Sequence, residues 1–330
     1  MVQNGSWEWL LEGFKFDLET EVRPRTVEYY HDHARIFVHW AQHQGRVADP
    51  QLVNKRDIQS FLHQLTQATA ISVGGNGALR QVRRTDASRW PYYRGLKRFF
   101  EWAVREGYLL SNPMDGITLK PPKSPPIEPW RPEQIDRMFQ VLEHDWRVAR
   151  TARQKMLAAR DKAVLKLVLE SGLRLSEVAG LKVEDVYLET QRVLVREGKM
   201  GKGRWVGFGP QTKKALWRYL GLRPLEVESD ALWVTEEGRP LARRGVQEIF
   251  RRMKRDAGLR HVRGSVHKCR HTWATSYLRH THDMRGCQIL LGHADLEMTM
   301  KYTAFIEAED VLRAYDGSGP LDWMRDKNQQ

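Results

Sequence analysis

Six of the chain's fourteen prolines fall between residues 111 and 130, in Ser-Asn-Pro-Met-Asp-Gly-Ile-Thr-Leu-Lys-Pro-Pro-Lys-Ser-Pro-Pro-Ile-Glu-Pro-Trp. Proline removes a backbone donor and turns the residue before it away from helix. Neither a helix nor a central strand can run through such a stretch. The 330 residues are therefore expected to fold as two bodies, 1–110 and 131 onward, joined by an extended linker over 111–130. A hydrophobic content of 41% is enough to give each body a core.

Before the prolines the pattern is helical. Thr26 to Gln44 carries apolar residues at 27, 30, 34, 37, 38 and 41, one face of a helix, with Gly45 as a natural stop. Asp57 to Leu65 repeats the pattern, residues 72–77 read as a loop, and Ala87 to Glu106 reads as a third helix. The first body is thus expected to be all-α. Beyond the prolines, helices are expected over Pro132 to Glu143, Asp161 to Ser171, Pro210 to Leu220, Arg243 to Asp256, Val266 to Arg279, Asp283 to Leu291 and Leu296 to Tyr302. Short strands are expected at Arg192 to Val195, at Trp205 to Phe208 and, more weakly marked, at Ala231 to Thr235. The second body is expected to be α+β, mainly helical, with a small sheet.

The net charge of +13 is unevenly spread. Residues 1–66 hold seven Lys/Arg against nine Asp/Glu, 80–98 hold seven against one, and 239–285 hold thirteen against three. Solvated charge usually mixes its signs along a helix, whereas blocks of one sign face an anion, and nucleic acid is the usual one. The candidate phosphate contacts are Arg80, Arg83, Arg84, Arg94, Lys97 and Arg98 in the first block. In the second body they are Lys202, Arg204, Arg243, Arg244, Arg251, Arg252 and Lys268. Two cysteines, Cys269 and Cys287, make no disulfide framework, and no apolar run approaches the ~20 residues of a membrane span. With no signal pattern, a cytoplasmic setting and no membrane partner are expected.

The chemistry lies in an ordered set of residues. Arg174 follows Gly172, the expected end of a buried helix, and Glu177 stands one turn on, where it can hold the guanidinium. Lys199 lies in a glycine-flanked loop between two strands. His267 and Arg270 share one helix face, His293 follows Leu291-Gly292, and Tyr302 stands nine residues further on. Taken singly, each has an ordinary reading as a surface arginine, a mobile basic loop, a capping histidine or a helix tyrosine. Together they suit attack on a phosphodiester by a phenol, which is a weak nucleophile and needs electropositive surroundings and a proton acceptor. His271, four residues from His267, raises a metal reading, but Lys268 stands where a zinc helix needs glutamate, and a structural role is expected for His271.

These residues resemble the tyrosine recombinase/integrase family, which includes phage, Xer and integron integrases and is related in chemistry to type IB topoisomerases. The likeness rests on Gly-Leu-Arg-Leu-Ser-Glu-Val-Ala-Gly-Leu (172–181), Arg-Glu-Gly-Lys (196–199), His-Lys-Cys-Arg-His-Thr-Trp-Ala-Thr (267–275), Leu-Leu-Gly-His (290–293) and the tyrosine that follows. It implies a SAM-like helical core-binding domain over 1–110, a catalytic domain over 131–302 and a tail over 303–330 that docks on a neighbouring protomer or on its own domain. By the same resemblance Arg174 and Arg270 clamp the scissile phosphate, and Glu177 supports them. His267 and His293 bond the phosphate or take the tyrosine proton, with His267 the better general base. Lys199 protonates the departing 5′ oxygen, with Lys202 in reserve, and Tyr302 forms a 3′-phosphotyrosyl bond.

The implied activity is site-specific recombination of double-stranded DNA, without metal, ATP or other cofactor. The implied assembly is a tetramer on DNA, with accessory bending or directionality factors as further partners. Two alternatives stay open here: type IB topoisomerase activity and a non-catalytic DNA-binding protein on the same scaffold. A metal-dependent transposase would need a carboxylate cluster, and none stands beside the basic motifs. Met200 and Cys269 depart from the glycine and leucine common in the family, as does His280-Thr281, where a glycine turn is common.

Overall fold

The structure, a computed structural model, describes residues 6–43, 49–66, 70–73, 79–82, 89–122, 127–196, 203–224, 229–306 and 310. The chain divides into two compact units, with the boundary between Ser124 and Pro125.

The first unit is built on helices α1 (Trp7–Glu21), α2 (Pro24–His43), α3 (Lys55–Gln64) and α4 (Arg89–Arg105). Helix α1 was not marked by the sequence patterns; Ser6 caps it, its hydroxyl accepting from Trp9 N at 3.3 Å. A reciprocal capping box between Asn54 and Asp57 starts α3. The core is aromatic, with Phe37 edge-on to Phe61 at 5.2 Å and to Phe100 at 5.6 Å. The loop expected at 72–77 is corrected in part. Strands β1 (Ala70–Val73) and β2 (Leu79–Val82) pair antiparallel, Val73 opposite Leu79, so Ser72 and Val73 belong to a strand; residues 74–77 of the expected loop lie outside the described residues. The first half of the proline-rich stretch packs on this unit. Met114 is buried, and Tyr93 donates its hydroxyl to Ile117 O at 3.1 Å.

The second unit is arranged around α6 (Ala152–Ser171), which starts nine residues before the expected helix. It lies between α5 (Pro132–Val148), α8 (Pro210–Leu222) and α10 (Val266–Thr281). Its first turn, residues 152–155, is exposed, and burial begins only at Met156, so no apolar stripe marks where the helix starts. Helix α7 (Leu175–Ala179) leads into a three-stranded antiparallel sheet of order β3 (Val186–Tyr187), β4 (Arg192–Val195), β5 (Arg204–Gly207). Val193 pairs with Val206, and both are buried against the core. The expected strand at Ala231 to Thr235 is reduced to isolated bridges at Ala231 and Val234. The remaining helices are α9 (Arg243–Asp256), α11 (Met284–Leu291) and α12 (Glu297–Met300). Among the described residues no helix is long and apolar enough to cross a membrane.

Two glycines end the helices that matter most. Gly172 closes α6 at φ 61°, and Gly292 closes α11 at φ 63°, both left-handed. A Cβ at Gly172 would lie 2.9 Å from the Trp273 ring and 3.1 Å from Leu291. Gly172→Ala should therefore lower the unfolding free energy by about 2 kcal/mol or more, from backbone strain and the clash together. Urea denaturation followed by tryptophan fluorescence measures it; an unchanged midpoint would contradict the packing described.

Candidate active site

The ends of α6 and α11 meet, and arginines fill the junction. Arg270, on α10, is 2% exposed. It donates from Nη1 to Gly172 O at 2.7 Å and from Nη2 to Leu291 O at 2.6 Å. Arg174, at the start of α7, donates from Nη2 to Gly292 O at 3.0 Å. Arg204, on β5, donates from Nε to Leu290 O at 2.7 Å. Carbonyls at a helix C-terminus have no partner within the helix and carry the negative end of its dipole, so cations are stabilised there.

Glu177 is the carboxylate that holds the cluster together. Arg204 engages it through both terminal nitrogens, at 2.9 and 2.8 Å, a bidentate fork. Arg174 adds its backbone N at 2.7 Å and its Nη1 at 2.9 Å. Burial alone would push the Glu177 carboxyl up, but Arg204 and Arg174 outweigh it and hold the group at about 2. Burial, with Arg174 alongside, lowers Arg270 to about 10, still protonated at neutral pH. Three guanidiniums against one carboxylate leave the pocket positive.

Tyr302, 4% exposed, is brought to this pocket by its own chain. Its ring stacks on His293 at 5.9 Å with an interplanar angle of 11°, and the edge of His271 meets it at 4.8 Å. Burial raises the phenol above its ordinary value; the charge and hydrogen bond of Arg270 pull the other way but do not reverse it. His293 Nδ1 lies 2.8 Å from Thr299 Oγ1, and burial, with Arg270 and Arg174 close, lowers its imidazole to about 4. His267 lies at the edge of the pocket with its imidazole partly buried, and its Nε2 is 3.2 Å from His271 Nε2. Burial, then Arg270 and Arg174, also lower His267. Arg174, Glu177, Arg270, His293 and Tyr302 thus form one cluster with His267 at its rim. Lys199 and Lys202 lie outside the described residues. Among the described residues, no group of three His, Cys, Asp or Glu could hold a metal ion.

The residues expected to meet phosphate divide. Arg94, Lys97, Arg243, Arg244 and Arg251 are exposed. Of these, Lys97 stands 3.8 Å from Glu101, and Arg251 pairs with Glu248 of its own helix. Arg80 lies on β2, and Arg83 and Arg84 fall outside the described residues.

Four of these cations meet partners within the protein. Arg98 is held by Glu21, across from α1. Arg252 is a tie between helices, donating to Asp161 Oδ2 at 2.5 Å with Asp145 at 3.3 Å. Lys268 is buried, with Nζ 4.6 Å from the centre of the Trp130 ring. Arg204 is turned inward onto Glu177, with only 10% of its side chain exposed. Partners distant in sequence bury Arg204 and Lys268, whereas Arg98 and Arg252 stay partly exposed beside theirs. Arg204 is also the site residue whose part was missed, since a strand arginine carries no sign of which face it takes.

The family model described as the phage integrase family matches residues 130–309, more than half of the chain. The chain belongs to the phage integrase family. Relatives of that family include the tyrosine recombinase XerC of Escherichia coli O1:K1, 31% identical over 307 residues, which cover 92% of this chain and 93% of the relative. XerC of Alcanivorax borkumensis is 34% identical over 229 residues, 68% of this chain and 71% of the relative. Among solved structures, the XerH site-specific recombinase bound to its difH substrate shares the fold. Its TM-score is 0.67 at 22% identity, covering 94% of this chain and 84% of that one. The Tn1549 transposon integrase with a circular intermediate DNA gives a TM-score of 0.65 at 18% identity, covering 93% and 98%.

Two outcomes test the arrangement of this integrase-family site. The depressed Glu177 carboxyl contributes stability that is complete above its ordinary 4.5 and lost as pH falls through about 2. Glu177→Gln should cost on the order of 2–3 kcal/mol at pH 7, and the difference from wild type should shrink toward zero as pH falls through 2; urea unfolding at several pH values reads it. Arg204→Ala should lower stability by about 3 kcal/mol yet leave the salt dependence of duplex binding unchanged, because the lost cation touches no phosphate. A salt slope flatter by about one would return Arg204 to the DNA surface.

Proposed function

We propose that the chain is a site-specific DNA recombinase that cuts and rejoins duplex DNA through Tyr302, without metal or ATP. The supporting observation is that one chain packs the Tyr302 phenol beside the buried Arg270 guanidinium, between His293 and His271. The tyrosine recombinase XerC of Escherichia coli O1:K1 is alike over 92% of this chain, which supports the same activity.

In this reading a scissile phosphate enters the positive pocket and its non-bridging oxygens meet Arg174 and Arg270. Arg174, with 28% of its side chain exposed, is the more accessible of the two. Charge builds on those oxygens in the transition state, so fixed donors there lower the barrier; loss of one typically costs about 3 kcal/mol. The Tyr302 oxygen attacks phosphorus as its proton passes to a neutral imidazole of the pocket, His293 or His267. The bond from phosphorus to the 5′ oxygen breaks, and a 3′-phosphotyrosyl bond forms. Lys199 gives the proton that the 5′ oxygen needs. Attack by a 5′ hydroxyl of another strand reverses the steps, and the bond energy is conserved throughout.

Exchange between two duplexes needs four such sites, hence a tetramer on DNA, with the 303–330 tail as a means of linking protomers. Arg243, Arg244 and Arg251 on α9, with Arg94 and Lys97 on α4, are the exposed cations assigned to the flanking phosphates. Factors that bend DNA or set direction fit as further partners, and a cytoplasmic setting agrees with DNA as substrate.

The test begins with Tyr302→Phe protein and a pool of random duplexes, from which bound sequences are selected. A selected duplex is then nicked a few nucleotides beyond the cut, so that the released fragment diffuses away. Wild type should accumulate a covalent protein–DNA band on a denaturing gel. Tyr302→Phe should bind the duplex equally and form the band more than about a hundredfold less. Equal bands would reject Tyr302 as the nucleophile, and no band from wild type would reject the activity.

A further inference from the structure

His271 is the buried group in the pocket to which the proposed chemistry gives no part. It is 9% exposed, edge-on to the Tyr302 ring, and its Nε2 lies 3.2 Å from His267 Nε2. Its other nitrogen, Nδ1, is buried and has no hydrogen-bond partner among the described residues. Two histidines meeting through Nε2 share one proton between them, and the orphaned Nδ1 decides who carries it. If His271 were protonated at Nδ1, a buried N–H would be left without an acceptor, an arrangement rarely found in folded proteins. A bare ring nitrogen leaves no such donor. The proton therefore sits on His271 Nε2 and is donated to His267 Nε2.

We infer that His271 is a positioning residue that fixes the tautomer of His267, so that His267 meets the scissile phosphate with Nδ1–H as a hydrogen-bond donor. A neutral imidazole has one N–H and one bare nitrogen. With Nε2 of His267 occupied as acceptor, its proton must lie on Nδ1, which meets no hydrogen-bond partner among the described residues. His267 is then set to stabilise a phosphoryl oxygen and is not set to take the tyrosine proton, which reverses the general-base role expected from sequence. Both imidazoles stay neutral at pH 7. His271 is lowered to about 4 by burial, with His267 and Arg270 facing it, and His267 is lowered by burial, Arg270 and Arg174. The other titratable groups around the pair are Tyr302 and His293. This inference deepens the recombinase reading and rests on it for the phosphate, but the tautomer is a property of the protein alone.

The experiment reads both. Protein with 15N-labelled imidazoles and no DNA is examined by long-range 1H–15N correlation, His267 being assigned by its loss in His267→Gln. Wild type should show His267 protonated at Nδ1 and bare at Nε2. His271→Leu should move the proton to Nε2 and slow covalent-complex formation about tenfold, the rate equivalent of one ordinary hydrogen bond, with DNA binding unchanged. His271→Gln, whose amide reaches where Nε2 stood, should restore tautomer and rate together. A wild-type His267 protonated at Nε2 would overturn the inference, as would a leucine variant with unaltered tautomer and rate. Absence of any wild-type covalent complex would reject the recombinase reading instead, and the tautomer would still stand or fall on the spectra.

Discussion

The buried guanidinium of Arg270 is the contact on which the pocket depends. It joins the last turn of α6 to the last turn of α11 through two carbonyls, Gly172 O and Leu291 O. Those helices bring the other parts with them. The chain leaving α6 carries Arg174 and Glu177, and the chain leaving α11 carries His293 and then Tyr302. A buried cation without an anion of its own is costly, and here helix-end carbonyls and the share of Glu177 offset part of that cost. In the proposed reading the scissile phosphate meets the remainder, completing a pocket that is otherwise short of negative charge. The arrangement favours a charge that develops on phosphoryl oxygens over any neutral ligand.

Much of this was legible in the sequence, for reasons that can be named. Helix α9 falls at its expected bounds, Arg243–Asp256, because its apolar residues Val246, Ile249, Phe250 and Met253 make one clean stripe. The glycines at 172 and 292 mark helix ends, and the catalytic candidates follow those ends in the chain. What stayed hidden depends on distant partners. Arg252 is turned by Asp161, which precedes it by 91 positions, and Arg204 by Glu177, which precedes it by 27. A long cationic side chain reads alike in sequence whether it reaches water or reaches back to an acid. Helix α1 went unread because its five buried residues sit among acidic ones, and the hairpin β1–β2 because its strands are only four residues each.

The two histidines flanking Tyr302 show how burial sorts like residues into unlike tasks. His293 lies flat against the phenol and is tied to Thr299, which holds it still. His271 stands edge-on and, by the tautomer inferred above, donates its one N–H outward to His267. Both are neutral by burial, so neither adds charge to a pocket already rich in it. The positive potential comes from arginines, which hold their protons at any physiological pH, while the imidazoles supply direction.

The three arginines of the pocket are aimed by main-chain oxygens of residues 290, 291 and 292, one each, and main-chain oxygens do not mutate. Substitutions at Leu290 or Leu291 that keep the last turn of α11 leave that aim intact. The catalytic geometry is thereby insulated from drift in the surrounding apolar side chains. Surface cations such as Arg243 and Arg244 have no such tether and are open to change. A lineage built on this scaffold can explore new DNA targets at its periphery while the reaction centre is inherited unaltered.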